Sequence, residues 1–479
     1  MVHLAGRGSG VCRRLDALCS QLGFAVLTGR LDYSFASRLG LVAVFRRTAY
    51  DREILLLAVP AFGALIAEPL YVVTDTAIVG RLGTPELAGL AIASAILLSA
   101  HAALIFLAYG TTGLVGRLVG AGSPQRAAEQ GIAGMWLSVG LGIAVSLGMW
   151  AGSGWLVGLF DPTPEVADLA LTYLRISLIG FTALLAAMAA TGYLRGAQDT
   201  ITPLIVAVAS AIANLLIELV LVFELDMGIA GSAWSTVIAQ WAAAIAFAFA
   251  VRRRTRAVGA SLRLVAAAAR RYARVGLQMF ARTSALRGSF VLAAVFASRI
   301  GTTEVASHQI GAEIWALLAL ALDAVAIAGQ AMVAKELGAG RPEVARAASV
   351  RMIGMSLQLS VVFGLVLVVL RGPLASIFST DPDVVSLGGF ILLFVAAMQP
   401  VNAAAFAFDG IFIGAGDLGF LARAMIGAAT GFAIVGGTVR LLDFGIGWLW
   451  AALIAFMCFR VAPQWIRFRG DAWLRTGEG

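Results

Sequence analysis

The sequence predicts an all-α polytopic membrane protein, with twelve transmembrane helices arranged as two parallel six-helix lobes. Three observations carry that expectation: an apolar composition, apolar runs of spanning length, and an internal repeat at a constant offset of 218 residues.

Hydrophobic residues make up 60% and charged residues 13% of the 479-residue chain, with a mean hydropathy of +0.91. That leaves too little polar surface to cover a water-soluble protein. The apolar runs exceed the ~20 residues a helix needs to cross ~30 Å of hydrocarbon, and no series of alternating ten-residue strands replaces them. The formal charge of +8 comes from arginines clustered in short connections between apolar runs. They report orientation, so a nucleic-acid partner is not expected. Cys12, Cys19 and Cys458 show no metal-type pairing such as CxxC, so neither a disulfide framework nor a zinc site follows.

In chain order, residues 1–50 form a basic extension with seven arginines and no sustained apolar run. They read as a cytoplasmic tail or an over-extended start; the apolar piece from Leu18 to Leu27 is interrupted by Gln21 and Gly23 and lacks a small-residue cleavage site. The candidate spans are 54–80, 86–110, 127–150, 166–191, 201–223, 229–251, 271–298, 304–330, 345–370, 384–411, 419–440 and 445–467. They define a first lobe at 51–251, a basic linker at 252–270, a second lobe at 271–468 and a tail at 469–479. Arg117, Arg126, Arg195, the run Arg252 to Arg256, Lys335, Arg341, Arg346, Arg467 and Arg469 all follow even-numbered spans. Both termini are therefore expected in the cytoplasm.

The repeat is explicit. "RLGTPELA" at Arg81 matches "RIGTTEVA" at Arg299, and the same offset carries "LVGRLVGAGSP" from Leu114 onto "MVAKELGAGRP" from Met332. "FDPTPEV" from Phe160 falls on "FSTDPDV" from Phe378, and "GYLRGAQD" from Gly192 on "GIFIGAGD" from Gly410. Each unit holds six spans, an even number, so the two halves enter the membrane the same way up. Duplicated lobes around a central cavity suit a transporter that opens alternately to either side.

An ionisable side chain deep in a bilayer costs at least ~2.5–3.5 kcal/mol, so it faces a cavity or a partner. Glu68 and Asp75 lie seven residues apart, on one stripe of the first span. Pro69 between them either bends that span as a moving part or kinks it statically. Asn214 and Glu218, at i and i+4 on the fifth span, also share a face. An amide beside a carboxylate either binds Na+ through oxygen or holds a protonated acid; Asn214 alone also reads as an interhelical hydrogen bond. Displaced by the repeat, Asp75, Asn214 and Glu218 fall on Ala293, Phe432 and Gly436, so the second lobe lacks these groups. It carries Arg282, His308, Glu313, Asp323 and Asp409 instead. The acids Asp323 and Asp409 form either a relay or, the favoured reading, structural pairs with Arg282 and Arg287. His308 reads as a lone histidine hydrogen-bonded at a span start. "GAGDLG" at Gly414 follows a helix rather than a strand and reads as a connecting loop. Glycines such as Gly110, Gly113 and Gly116, and Gly142 with Gly148, read as helix-packing positions.

The segments "AEPLYVVTDTAIVGRLG" from Ala67, "YLRGAQDT" from Tyr193, "GIAGSAWSTV" from Gly228, "ASHQIGAEIW" from Ala306, "LDAVAIAGQAMVAKELGAG" from Leu322 and "DGIFIGAGD" from Asp409 resemble the multidrug and toxic compound extrusion (MATE) transporters. Within them the resemblance is to the branch named for the DNA-damage-inducible F protein, and it covers residues 52 to about 468. It implies export of amphipathic or cationic organic compounds in exchange for H+ or Na+, with the cation site in the first lobe. Matched by motif, that site comprises Asp75, Asn214, Glu218 and Thr236, with Glu218 standing where the family commonly has Asp. Those four are the expected set for any bound Na+; no other cofactor is expected, and no enzymatic activity. The expected setting is a bacterial cytoplasmic membrane, with small organic substrates, the bilayer as partner and a monomeric state. The rival reading within the superfamily is a flippase of lipid-linked oligosaccharides or other lipids, and from a different class, a non-transporting membrane protein. The second-to-third connection "GRLVGAGSPQRAAEQ" lacks the pattern of the major facilitator type.

Overall fold

The computed structural model describes Thr48 and residues 50–263 and 266–477. The remainder of the basic extension, with Cys12 and Cys19, lies outside the described residues. Among those described, twelve helical segments are long and apolar enough to cross a membrane.

The first lobe begins with α1 (Tyr50–Val79), which runs on as one helix through Pro60 and Pro69. The second span is two helices, α2 (Thr84–Leu104) and α3 (Phe106–Gly120), joined at Ile105. Then come α4 (Pro124–Ala151), the short α5 (Ser153–Gly158), α6 (Pro164–Gly196), α7 (Ile201–Leu219) with a closing π-turn at Val220–Glu224, and α8 (Gly228–Ala257). The second lobe holds α9 (Ala266–Ile300), α10 (Thr302–Gly338), α11 (Pro342–Phe378), α12 (Pro382–Gly414), α13 (Leu418–Leu441) and α14 (Ile446–Arg469). Every span read from the sequence is present, most of them a turn longer than its apolar core, because polar residues continue the helix beyond the hydrocarbon-length run. Arg252 to Arg256 are likewise the last turns of α8, so the linker is shorter than its charge pattern suggested.

The sequence repeat is also a repeat of contacts. A Cβ on Gly192 of α6 would lie 2.3 Å from the Ala108 carbonyl oxygen of α3, and one on Gly410 of α12 would lie 2.3 Å from that of Ala326 on α10. These pairs are 218 residues apart, as are the two halves of the lobe junction. There a Cβ on Gly120 would meet the Lys335 carbonyl oxygen at 1.9 Å, and one on Gly338 would meet that of Arg117 at 2.1 Å. Only glycine permits such approach of backbone to backbone. Gly113 and Gly142 pack in the same manner, whereas Gly148 faces open space and serves no packing role.

The lobes are bound together at the end that carries the arginine-rich connections. Arg351 of α11 grips Asp51 of α1 through two bonds of 2.6 and 2.7 Å, and Lys335 Nζ lies 3.2 Å from Glu53 Oε1. The chain after α14 folds back over this junction. Trp473 is buried among Phe412 and Phe468, and the Arg117 guanidinium donates to the carbonyls of Ala415, Arg475 and Gly477. The Gly414 segment is a helix connection, with Gly416 at φ +72°.

Candidate functional site

The first lobe encloses a cavity of about 350 Å³ between α1, α2, α3, α6, α7 and α8. Both Glu68 and Asp75 line it, as their seven-residue spacing requires. Most of the wall is apolar, with Phe181, Leu184, Met188 and Phe247 prominent.

Asp75 is almost fully buried and held from two helices. The Ser232 hydroxyl of α8 donates to Oδ1, and the Tyr173 hydroxyl of α6 donates to Oδ2 at 3.2 Å. One turn before Asp75, Tyr71 is bonded to Thr236 Oγ1. Since the Thr236 hydroxyl donates its own proton to the Ser232 carbonyl at 3.1 Å, Tyr71 is the donor in that pair. That same carbonyl accepts from Ser235 Oγ at 2.7 Å, and Ser235 in turn accepts from Asn214 Nδ2 at 3.2 Å. A single chain of bonds thus links the first, fourth, fifth and sixth spans.

Glu218 is different. It is 0% exposed, and neither carboxyl oxygen meets a hydrogen-bond donor among the described residues. Asp75 is the acid beside it, and Ser232 adjoins both. A buried carboxylate without donors or a counter-charge is costly by several kcal/mol. The arrangement is relieved when a proton or a small cation joins the pair.

The structure therefore brings Asp75, Asn214, Glu218 and Thr236 into one cluster. Sequence reasoning missed Tyr71, Tyr173 and Ser232. The signal was present for two of them: Tyr71 precedes Asp75 by four residues, and Ser232 precedes Thr236 by four. Glu68 sits apart from the cluster, with Oε1 3.1 Å from His101 Nδ1. Pro69 lies beside it within the unbroken α1.

In the second lobe, Asp409 accepts from Arg282, from Arg460 and, at 2.8 Å, from Gln464 Nε2. It is paired with Arg282, one of the two arginines expected, and with Arg460 and Gln464 of α14 in place of Arg287, which is exposed. Asp323 departs further from the expectation, because its partner is the Tyr109 hydroxyl of the first lobe. His308 is also corrected: its Nδ1 has no hydrogen-bond partner among the described residues, and the ring sits 5.4 Å from that of Trp450. The packing surface, not a hydrogen bond at that nitrogen, holds it. Glu313 accepts from Gln309 one turn earlier at 2.7 Å.

A duplicated twelve-helix architecture matches known proteins. The MatE family model fits the chain twice, over residues 60–220 and 283–439. This chain belongs to the MATE transporter family. Protein DETOXIFICATION 44, chloroplastic, of Arabidopsis thaliana is 33% identical over 429 residues, covering 86% of this chain and 81% of that one. DNA damage-inducible protein F of Escherichia coli strain K12 is 28% identical, with 90% and 96% covered. Among solved structures, the Vibrio cholerae MATE transporter VcmN in its bent form superposes with a TM-score of 0.82 at 17% identity, covering 89% of this chain and 97% of that one. The last comparison bears on fold alone. As a MATE protein, the chain is a multi-pass membrane transporter of a multidrug and toxic-compound efflux family.

Proposed function

We propose that the protein is a proton-coupled antiporter that exports amphipathic or cationic organic compounds, with Asp75 and Glu218 as the coupling pair. The observation that carries this reading is the Glu218 carboxyl, buried against Asp75 with neither oxygen hydrogen-bonded among the described residues. A proton entering the pair from outside satisfies it; its release on the other side restores the repulsion and drives the lobe back. Tyr173 and Ser232 orient Asp75, Tyr71 ties the same helix to Thr236, and the apolar wall of the adjoining cavity receives the substrate.

Proton coupling is favoured over sodium by the donor set. Thr236 Oγ1 and both Asp75 oxygens are already engaged in internal hydrogen bonds, which leaves Glu218 as the acid with uncommitted oxygens. A hard cation such as Na+ prefers a fuller oxygen shell. The relative from Escherichia coli supports a bacterial cytoplasmic membrane as the setting. The arginine-rich connections support cytoplasmic termini, and we take the monomer as the transporting unit.

The deciding experiment is efflux from proteoliposomes under separately imposed gradients. Efflux should follow a pH gradient at fixed Na+. Efflux that follows a Na+ gradient at fixed pH and ignores a pH gradient overturns the assignment of the ion.

A further inference from the structure

At the opposite end of the cavity from Asp75, the chemistry is reversed. Arg195, in the last turn of α6, lines the cavity and is 7% exposed. Its Nε has no hydrogen-bond partner, and no described carboxylate lies within ion-pair distance of its guanidinium. Its electrostatic neighbours are Tyr109 and Asp323, and these two are bonded to each other.

The surrounding charges do not balance. Arg195, Arg282 and Arg460 are buried cations, and their acidic neighbours among the described residues are Asp323 and Asp409. Asp409 is shared by Arg282 and Arg460. One positive charge is in surplus, and the cation without a direct partner is the one that opens on the cavity. An uncompensated buried charge is expensive and calls for a ligand or water to match it. A guanidinium also presents a planar fork that fits a carboxylate through two parallel bonds.

We infer that the Arg195 end of the first-lobe cavity binds a carboxylate group on an otherwise apolar organic substrate. The inference rests on the reading that this cavity receives the exported compound, and it narrows the substrate class. The volume of about 350 Å³ is at the small end for organic-ligand sites, and the apolar wall from Phe181 to Met188 suits a compact hydrophobic body. With the acids Glu68 and Asp75 along the same cavity, the anionic end is directed to Arg195 by both attraction and repulsion.

Equilibrium dialysis of 2-naphthoate and of its neutral isostere 2-naphthamide against the purified protein in detergent tests this directly. The wild type should bind the acid at least tenfold more tightly than the amide. Arg195→Gln should abolish that preference while leaving amide binding unchanged. Asp323→Asn removes the competing carboxylate and should tighten binding of the acid several-fold, again without effect on the amide; it serves even where Arg195→Gln fails to fold. A wild type without preference for the acid, equal loss of both ligands in the Arg195 variant, or an Asp323 variant with unchanged acid affinity would each overturn the inference. Efflux of a cationic amphiphile driven by a pH gradient is measured alongside. If that efflux persists without acid preference, the carboxylate site alone falls; if acid preference persists without gradient-driven efflux, the coupling proposal falls instead.

Discussion

The two lobes share a backbone and differ in what they bury. Gly192 against Ala108 and Gly410 against Ala326 are the same contact made twice, yet the groups around Asp75 have no counterpart on the other side. Ala293 and Phe432 are both 0% exposed in one apolar cluster, and the space beside Gly436 is taken by Phe296. The first lobe keeps a cavity in which Asp75 is held by hydroxyl groups alone, whereas the second neutralises Asp409 with two arginines inside a packed interior. Duplication here preserved the places where backbones touch, because only glycine fits there, and left the lobe interiors free to diverge.

The largest test of that asymmetry is Asp75→Asn. Coupled efflux should fall to background while the protein remains inserted and monodisperse, since Asn retains the size and the acceptor for Ser232 or Tyr173. Undiminished gradient-driven efflux would remove the first lobe's special role. The second lobe should answer in stability instead. Asp409→Asn leaves Arg282 and Arg460 buried without a counter-charge and should lower stability by about 3–5 kcal/mol, read as a thermal-unfolding shift. A stable variant with lost efflux would make Asp409 a relay rather than a clasp.

A smaller effect is expected at Glu218. Glu218→Gln keeps the shape but removes the acid, and should slow efflux about tenfold, the scale of a lost coupling free energy of ~1–3 kcal/mol. Glu218→Asp should retain most activity, because it keeps a carboxyl group beside Asp75. A Gln variant with unchanged rate would reduce Glu218 to a structural acid.

Much of this was legible before any coordinates. The spans were readable because a bilayer enforces apolar runs of fixed length, and Asp75, Asn214 and Glu218 because intramembrane polar groups are few, whereas Thr236 was singled out only by the resemblance to MATE transporters. What was hidden was partnership. Tyr109 and Asp323 are separated by 214 residues and meet only because the lobes dock, so no local pattern announces them. Arg460 was visible as an arginine inside the last span, but its apolar neighbours mask it within a run that satisfies the length rule. Arg195 was misleading for another reason. At the end of an even-numbered span it reads as an orientation charge, and only the fold turns it toward a cavity.

The finest test exchanges a single atom at the position that answers to Asp75. Ala293 is fully buried in α9, so Ala293→Ser adds one hydroxyl to an apolar interior. Left alone, that hydroxyl would be costly, but a helical serine can donate to a carbonyl one turn earlier. Ser289, four residues before Ala293 on the same helix, does this to Ala285 at 3.0 Å. The substitution should therefore change stability by less than about 1 kcal/mol and leave efflux and its pH dependence as in the wild type. If polar content at this point of the repeat were enough to build a second coupling site, the pH profile of efflux would broaden or shift; an unchanged profile in a stable Ala293→Ser protein shows that a lone hydroxyl there does not make one, in keeping with a coupling site assembled from several groups in the first lobe.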